Sequence, residues 1–119
     1  MPPTLAQLCA DLDGIPVTRL SDEQDLAGLM LAAANAAGLS PAAAPLVRVG
    51  PEGADAVLLC HAGHVVLHGL PKAGYCFIDV AGLDAAPLQR GFDIVIRRLG
   101  AHQVRAHRRQ AHSVATEDA

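Results

Sequence analysis

The sequence is nearly devoid of aromatic rings. Among its 119 residues there is no Trp, one Tyr (Tyr75) and two Phe (Phe77, Phe92). Single-stranded nucleic acid is commonly held on successive stacked rings, so a platform of that kind is excluded. No run approaches the roughly 18 consecutive apolar residues that span a bilayer, which excludes a transmembrane helix. The opening residues lack a charged region, apolar stretch and cleavage site in series, so no export is expected. Cysteine is scarce as well: Cys9, Cys60 and Cys76 are odd in number and show no C-x-x-C spacing. With apolar neighbours, they are expected to be buried thiols in a reducing, cytoplasmic compartment rather than a disulfide frame.

What is present is mainly small and aliphatic. Apolar residues make up 51% of the chain, but 23 of them are alanines. A domain of this size buries only about two-thirds of its unfolded surface, so the core is expected to be thin and a subunit partner to add burial. The net charge of −3 hides a sign asymmetry: Arg90, Arg97, Arg98, Arg105, Arg108 and Arg109 crowd residues 90–112, while acids dominate the first half.

No composition shift divides the chain, which predicts a single domain over residues 1–110 and a frayed tail over 111–119. Residues 5–12 alternate as a strand, with Asp13-Gly14 as a turn. Ser21 and Gln24 form a capping-box pattern ahead of Leu26, Leu29, Met30 and Ala33 at helical spacing, and Gly38 supplies the stop. Strands near 46–49 and 56–60 flank the turn Gly50-Pro51-Glu52-Gly53. A second hairpin joins 64–68 to 75–80 through Pro71–Gly74. Leu88, Phe92, Val95, Ile96 and Leu99 repeat helically up to Gly100, and residues 103–107 suit an edge strand. This order implies an α+β, two-layer sandwich: an antiparallel sheet with both helices on one face. The other face is left open, and a second subunit is expected to cover it or an edge.

The densest chemistry lies in His61-Ala62-Gly63-His64-Val65-Val66-Leu67-His68. The β-branched run favours a strand. On a strand His64 and His68 share a face but stand about 13 Å apart, at ~3.3 Å per residue. Zn–N bonds are only about 2.1 Å long, so no metal is assigned here. Asp79 is expected to brace a turn or helix start, and Cys76 to be a packed strand residue. The C-terminal arginines could neutralise phosphates, but no nucleic-acid motif accompanies them and the chain is acidic overall. A solvated helix end and a charge-guarded edge strand explain them better, so nucleic acid is not the expected partner.

The stretch His64-Val65-Val66-Leu67-His68-Gly69-Leu70-Pro71-Lys72, followed by Gly74-Tyr75, Asp79-Val80 and Leu83, resembles the prokaryotic S-adenosylmethionine decarboxylases. The signature of these pyruvoyl enzymes of spermidine biosynthesis runs E-S-H-x-x-x-H-x-W-P-E, then an aromatic strand, an Asp and a Cys-Gly. The likeness extends back through Pro51-x-Gly53 and the Ala32–Gly38 helix end to Leu12-x-Gly14, covering roughly residues 8–100 in a shared order and spacing.

The resemblance implies a mechanism and a set of departures from it. In the family the chain cuts itself before a serine, which becomes a pyruvoyl group that accepts the substrate amine and draws off electrons during decarboxylation. Gly63 stands at the serine position and has neither a Cβ nor a hydroxyl, so no pyruvoyl cofactor is expected. Asp55 replaces a serine that assists processing, and Leu83 replaces the proton-donating cysteine. Val49 and Leu70 fall where rings would sandwich adenine, and Lys72 where a carboxylate would hold the ribose. His68, the processing and catalytic-site histidine of the family, is retained with His64.

Although the family is a carboxy-lyase, these departures imply a non-catalytic homologue. Such a protein would bind a small molecule in a relic pocket or pair with itself or an active paralogue. The alternative is an enzyme with another nucleophile or a metal on His61, His64 or His68.

Overall fold

The computed structural model describes residues 3–109 and 113–116. Six strands form one sheet: β1 (Leu5–Asp13), β2 (Leu46–Gly50), β3 (Gly53–Cys60), β4 (Gly63–Leu70), β5 (Tyr75–Leu83) and β6 (Gln103–Arg108). Their order across the sheet is β2-β3-β4-β5-β1-β6, with every neighbouring pair antiparallel. Two helices, α1 (Glu23–Ala36) and α2 (Leu88–Leu99), pack on one face and against each other. The α+β sandwich expected from the sequence is therefore the observed fold. No helix among the described residues is long and apolar enough to cross a membrane.

Strand alternation sets the two faces. Ala6, Leu8, Ala10 and Leu12 of β1, Ala54, Ala56 and Leu58 of β3, Val65 and Leu67 of β4, and Cys76, Ile78 and Val80 of β5 point to the helices and are buried. Leu26, Leu29 and Met30 of α1 and Phe92, Val95 and Leu99 of α2 complete this core. The alanines allow the helices to approach closely. A Cβ built on Gly91 of α2 would lie 2.4 Å from the Ala33 carbonyl oxygen and 2.7 Å from the Ala37 Cβ. Larger residues at these positions would force the helices apart.

Several local expectations are corrected. The N-cap of α1 is Asp22, whose carboxylate accepts the Asp25 N–H at 3.0 Å; Ser21 instead donates to the Val17 carbonyl of a preceding 3-10 turn, Val17–Leu20. A carboxylate at this place also complements the positive end of the helix dipole. Gly38, with φ +71°, does follow the helix, and Gly100, with φ +69°, closes α2. Asp79 lies in mid-strand on the open face rather than at a turn, and Cys9 is half-buried on that face rather than in the core. Strand β5 runs to Leu83, three residues beyond its expected end, because Leu83 pairs with Leu5. Of the predicted tail, residues 111, 112 and 117–119 lie outside the described residues, and residues 113–116 are exposed.

Candidate functional site

The face away from the helices carries the polar chemistry of the sheet. One row across it reads Arg48, Asp55, His68, Phe77, Asp11 and Arg105, each the direct cross-strand neighbour of the next. Within this row His68 Nδ1 lies 2.8 Å from Asp55 Oδ1, and the Arg48 guanidinium is 3.6 Å from Asp55 Oδ2. The Tyr75 hydroxyl donates to Asp11, and this bond holds the phenol proton, pushing its pKa up to about 12. Arg105 donates to the Asp13 carboxylate. The neighbouring row holds Asp79, whose Oδ2 lies 3.4 Å from His64 Nε2 of the row beyond and accepts the Gln7 amide at 2.9 Å.

Where the row meets the β2–β3 turn, a cleft of about 740 Å³ opens. Arg48, Val49, Glu52, Asp55, His68, Leu70, Tyr75 and Phe77 are among its lining residues. Gly50 and Gly53 face each other here and leave the space that side chains would fill. Lys72 lies in an adjoining cleft of about 330 Å³ that shares Pro51, Glu52 and Leu70 with the first.

Five of the seven residues singled out from the sequence thus gather at one corner of the sheet: Val49, Asp55, His68 and Leu70 in the cleft and Lys72 beside it. Val49 is packed against the core, whereas Leu70 is exposed on the open face. Gly63 and Leu83 sit at the opposite end of β4 and β5. Gly63 is closely enclosed: a Cβ there would lie 2.4 Å from the Ala81 carbonyl oxygen and 3.2 Å from both Gly82 Cα and Leu39 Cδ2. Just before it, Ala62 adopts φ +55° in the β3–β4 turn.

Sequence reasoning missed Tyr75 and Phe77 as cleft residues. Two of the chain's three rings line it, on the strand the resemblance expects to be aromatic and not at Val49 or Leu70, where it places the adenine-sandwiching rings. His68 is hydrogen-bonded to Asp55, whereas the buried His64 Nε2 lies near a different carboxylate, Asp79, and has no hydrogen-bond partner among the described residues. Among the described residues no three His, Cys, Asp or Glu side chains gather as a metal site.

Three of the C-terminal arginines have partners for their side chains: Arg105 donates to Asp13, Arg109 donates to the Leu5 carbonyl, and Arg108 lies 3.9 Å from Asp84. Burial pushes the Cys76 thiol up to about 12 and raises Cys60; Cys9 is raised by burial and by the nearby Asp79 and Asp11 carboxylates. None of these thiols is activated as a nucleophile.

Comparison with known proteins agrees with the fold. The chain is similar to the adenosylmethionine decarboxylase crystal structure from Aquifex aeolicus, with a TM-score of 0.83 at 23% identity over 98% of each chain. It is 33% identical over 73 residues to an S-adenosylmethionine decarboxylase proenzyme of Persephonella marina, and that segment covers 61% of this chain and 55% of the relative. The proenzyme of Sulfurihydrogenibium sp. is 32% identical over the same length and coverage, and that of Aquifex aeolicus is 26% identical over 98 residues, 82% of this chain and 73% of that one. The chain thus matches little more than half the length of the first two relatives. Residues 6–111 match the sequence model of the S-adenosylmethionine decarboxylases, and the chain belongs to that family.

Proposed function

We propose that this family member forms no pyruvoyl group and acts as a metabolite-binding or regulatory homologue connected with polyamine metabolism. The observation that carries the reading is Gly63. Glycine supplies no hydroxyl for an acyl shift and no Cβ for an elimination. Its surroundings also fail to fit the missing group, because a Cβ would collide with the Ala81 carbonyl at 2.4 Å. Leu83 adds to this, having no proton to donate at the position where the family has cysteine. The cleft, by contrast, is open and holds two rings and the Asp55–His68 pair. Such a site can bind a small molecule without transforming it.

The same reading includes pairing with a second copy or a paralogue through the open face. Leu5, Leu46, Val57, Leu59, Leu70 and Leu83 are exposed large apolar side chains on that face. The family resemblance assigns Gly63, Leu83 and His68 to one site, yet Gly63 and His68 are five residues apart on one strand, about 16 Å at ~3.3 Å per residue. A partner sheet laid across the face in the opposite sense would bring the Gly63 end of one subunit against the His68 end of the other.

Intact-mass analysis of the purified protein tests the chemical part. One uncut chain, with no carbon dioxide released from S-adenosylmethionine, is expected; two fragments divided between Ala62 and Gly63 would overturn the reading.

A further inference from the structure

We propose that Asp55 fixes His68 as a hydrogen-bond acceptor, so that the cleft selects small molecules carrying an O–H or N–H donor on an apolar body. This rests on the binding role proposed for the cleft and gives that role a chemical preference. A carboxylate can only accept hydrogen bonds, so the imidazole nitrogen 2.8 Å from Asp55 Oδ1, Nδ1, must carry the proton. In the neutral ring, Nε2 is then the bare nitrogen with a free lone pair. No hydrogen bond to Nε2 is found among the described residues, and His68 lines the cleft.

The surroundings define the remainder of the ligand. Phe77 is the cross-strand neighbour of His68 on one side, and Tyr75 faces Leu70 in the next row. Apolar surface therefore flanks the acceptor. The Tyr75 hydroxyl is committed to Asp11, the carboxylate on the other side of Phe77, and Asp11 does not line the cleft, so His68 is the acceptor beside Phe77 within it. A ligand that places its apolar body on these side chains and its donor on Nε2 satisfies both requirements. The Arg48 guanidinium lies 3.6 Å from the other Asp55 oxygen, Oδ2, and leaves Oδ1 to His68.

The test uses the intact chain labelled with nitrogen-15. Long-range proton–nitrogen spectra above the pH of imidazole protonation should show a protonated Nδ1 and a bare Nε2 for His68. Asp55→Ala should move the bare-nitrogen signal to Nδ1, the position favoured by a free imidazole, while Arg48→Ala should leave it on Nε2. Asp55 is partly exposed, so neither variant threatens the fold. Titration with phenol and with its methyl ether, anisole, reads the selectivity: phenol should perturb the His68 Nε2 signal at several-fold lower concentration. A protonated Nε2 in the unmodified chain, or equal responses to the two probes, would overturn the proposal. Its failure is distinct from failure of the functional reading, which shows instead as cleavage before Gly63.

Discussion

Replacing Gly63 by serine returns the hydroxyl that the family uses, and the structure indicates that this is not enough. The added Cβ would lie 2.4 Å from the Ala81 carbonyl oxygen, whereas ordinary contact begins near 3.4 Å, so β4 and β5 must separate locally by about 1 Å. Gly82 Cα and Leu39 Cδ2, each 3.2 Å away, restrict sideways relief. Forcing atoms into a packed region costs about 1–3 kcal/mol. Against this, removing a glycine reduces the freedom of the unfolded chain and returns about 0.4–1 kcal/mol. The balance is a net loss on the order of 1–2 kcal/mol, and each kcal/mol lowers the melting temperature by about 4–8 °C in a domain of 60–100 residues. Differential scanning calorimetry of Gly63→Ser and Gly63→Ala should therefore show similar falls, since the Cβ and not the hydroxyl is responsible. Mass spectrometry of Gly63→Ser should show a single intact chain. An unchanged melting temperature would refute the steric argument, and self-cleavage of the serine variant would refute the claim that the surroundings no longer fit the group.

Tyr75 is the sole tyrosine, so its ionisation can be followed cleanly by near-ultraviolet absorbance. The phenolate should appear near pH 12 in the folded chain and near pH 10 after unfolding, with the folded value falling in Asp11→Asn. Because the folded pKa is raised, the stabilisation is fully present below pH 10 and is lost as pH rises toward 12; titration at the free-phenol value in the folded chain would contradict the Asp11 bond. Cys76 should resist a thiol-labelling reagent until the chain unfolds, and labelling of the native protein at the rate of a free thiol would show that it is not sealed in the core. On the proposed open-face pairing, light scattering should show a dimer for the unmodified chain and a monomer for Leu59→Lys, which adds a charge at an exposed position of that face. A monomer before the substitution, or the same dimer in both chains, would overturn that pairing. Gly91→Ala should destabilise by about 1–3 kcal/mol through the helix contact at Ala33, as read by chemical denaturation.

The fold was largely legible because its signals are local and repeated. Alternation in residues 5–12, helical spacing from Leu26 to Ala33, and Gly38 and Gly100 as stops all locate elements without tertiary knowledge. The cap of α1 was misplaced because Ser21 and Asp22 are both good cap residues, and only the backbone path, extended at Asp22, selects between them. The site was legible through resemblance as a set of positions, but its internal contacts follow from register. Once the β3–β4 turn is centred on His61 and Ala62, each residue of β3 faces the one equally far beyond the turn, and Asp55 falls opposite His68. Without that register, Asp55 is only a position where the resemblance expects serine. With it, the same substitution gives His68 a carboxylate partner and fixes which ring nitrogen is protonated. The scarce aromatics undergo a similar change of meaning. Val49 and Leu70 mark two rings absent from expected places, but Tyr75 and Phe77 occupy alternate positions of β5 and line the same cleft. The open-face pattern hides this from a motif search, because an i, i+2 pair is spatially adjacent only when the residues form a strand. On the proposed reading the cleft, with its carboxylate-held imidazole and two rings, serves recognition, while Gly63, at the far end of β4, supplies no nucleophile.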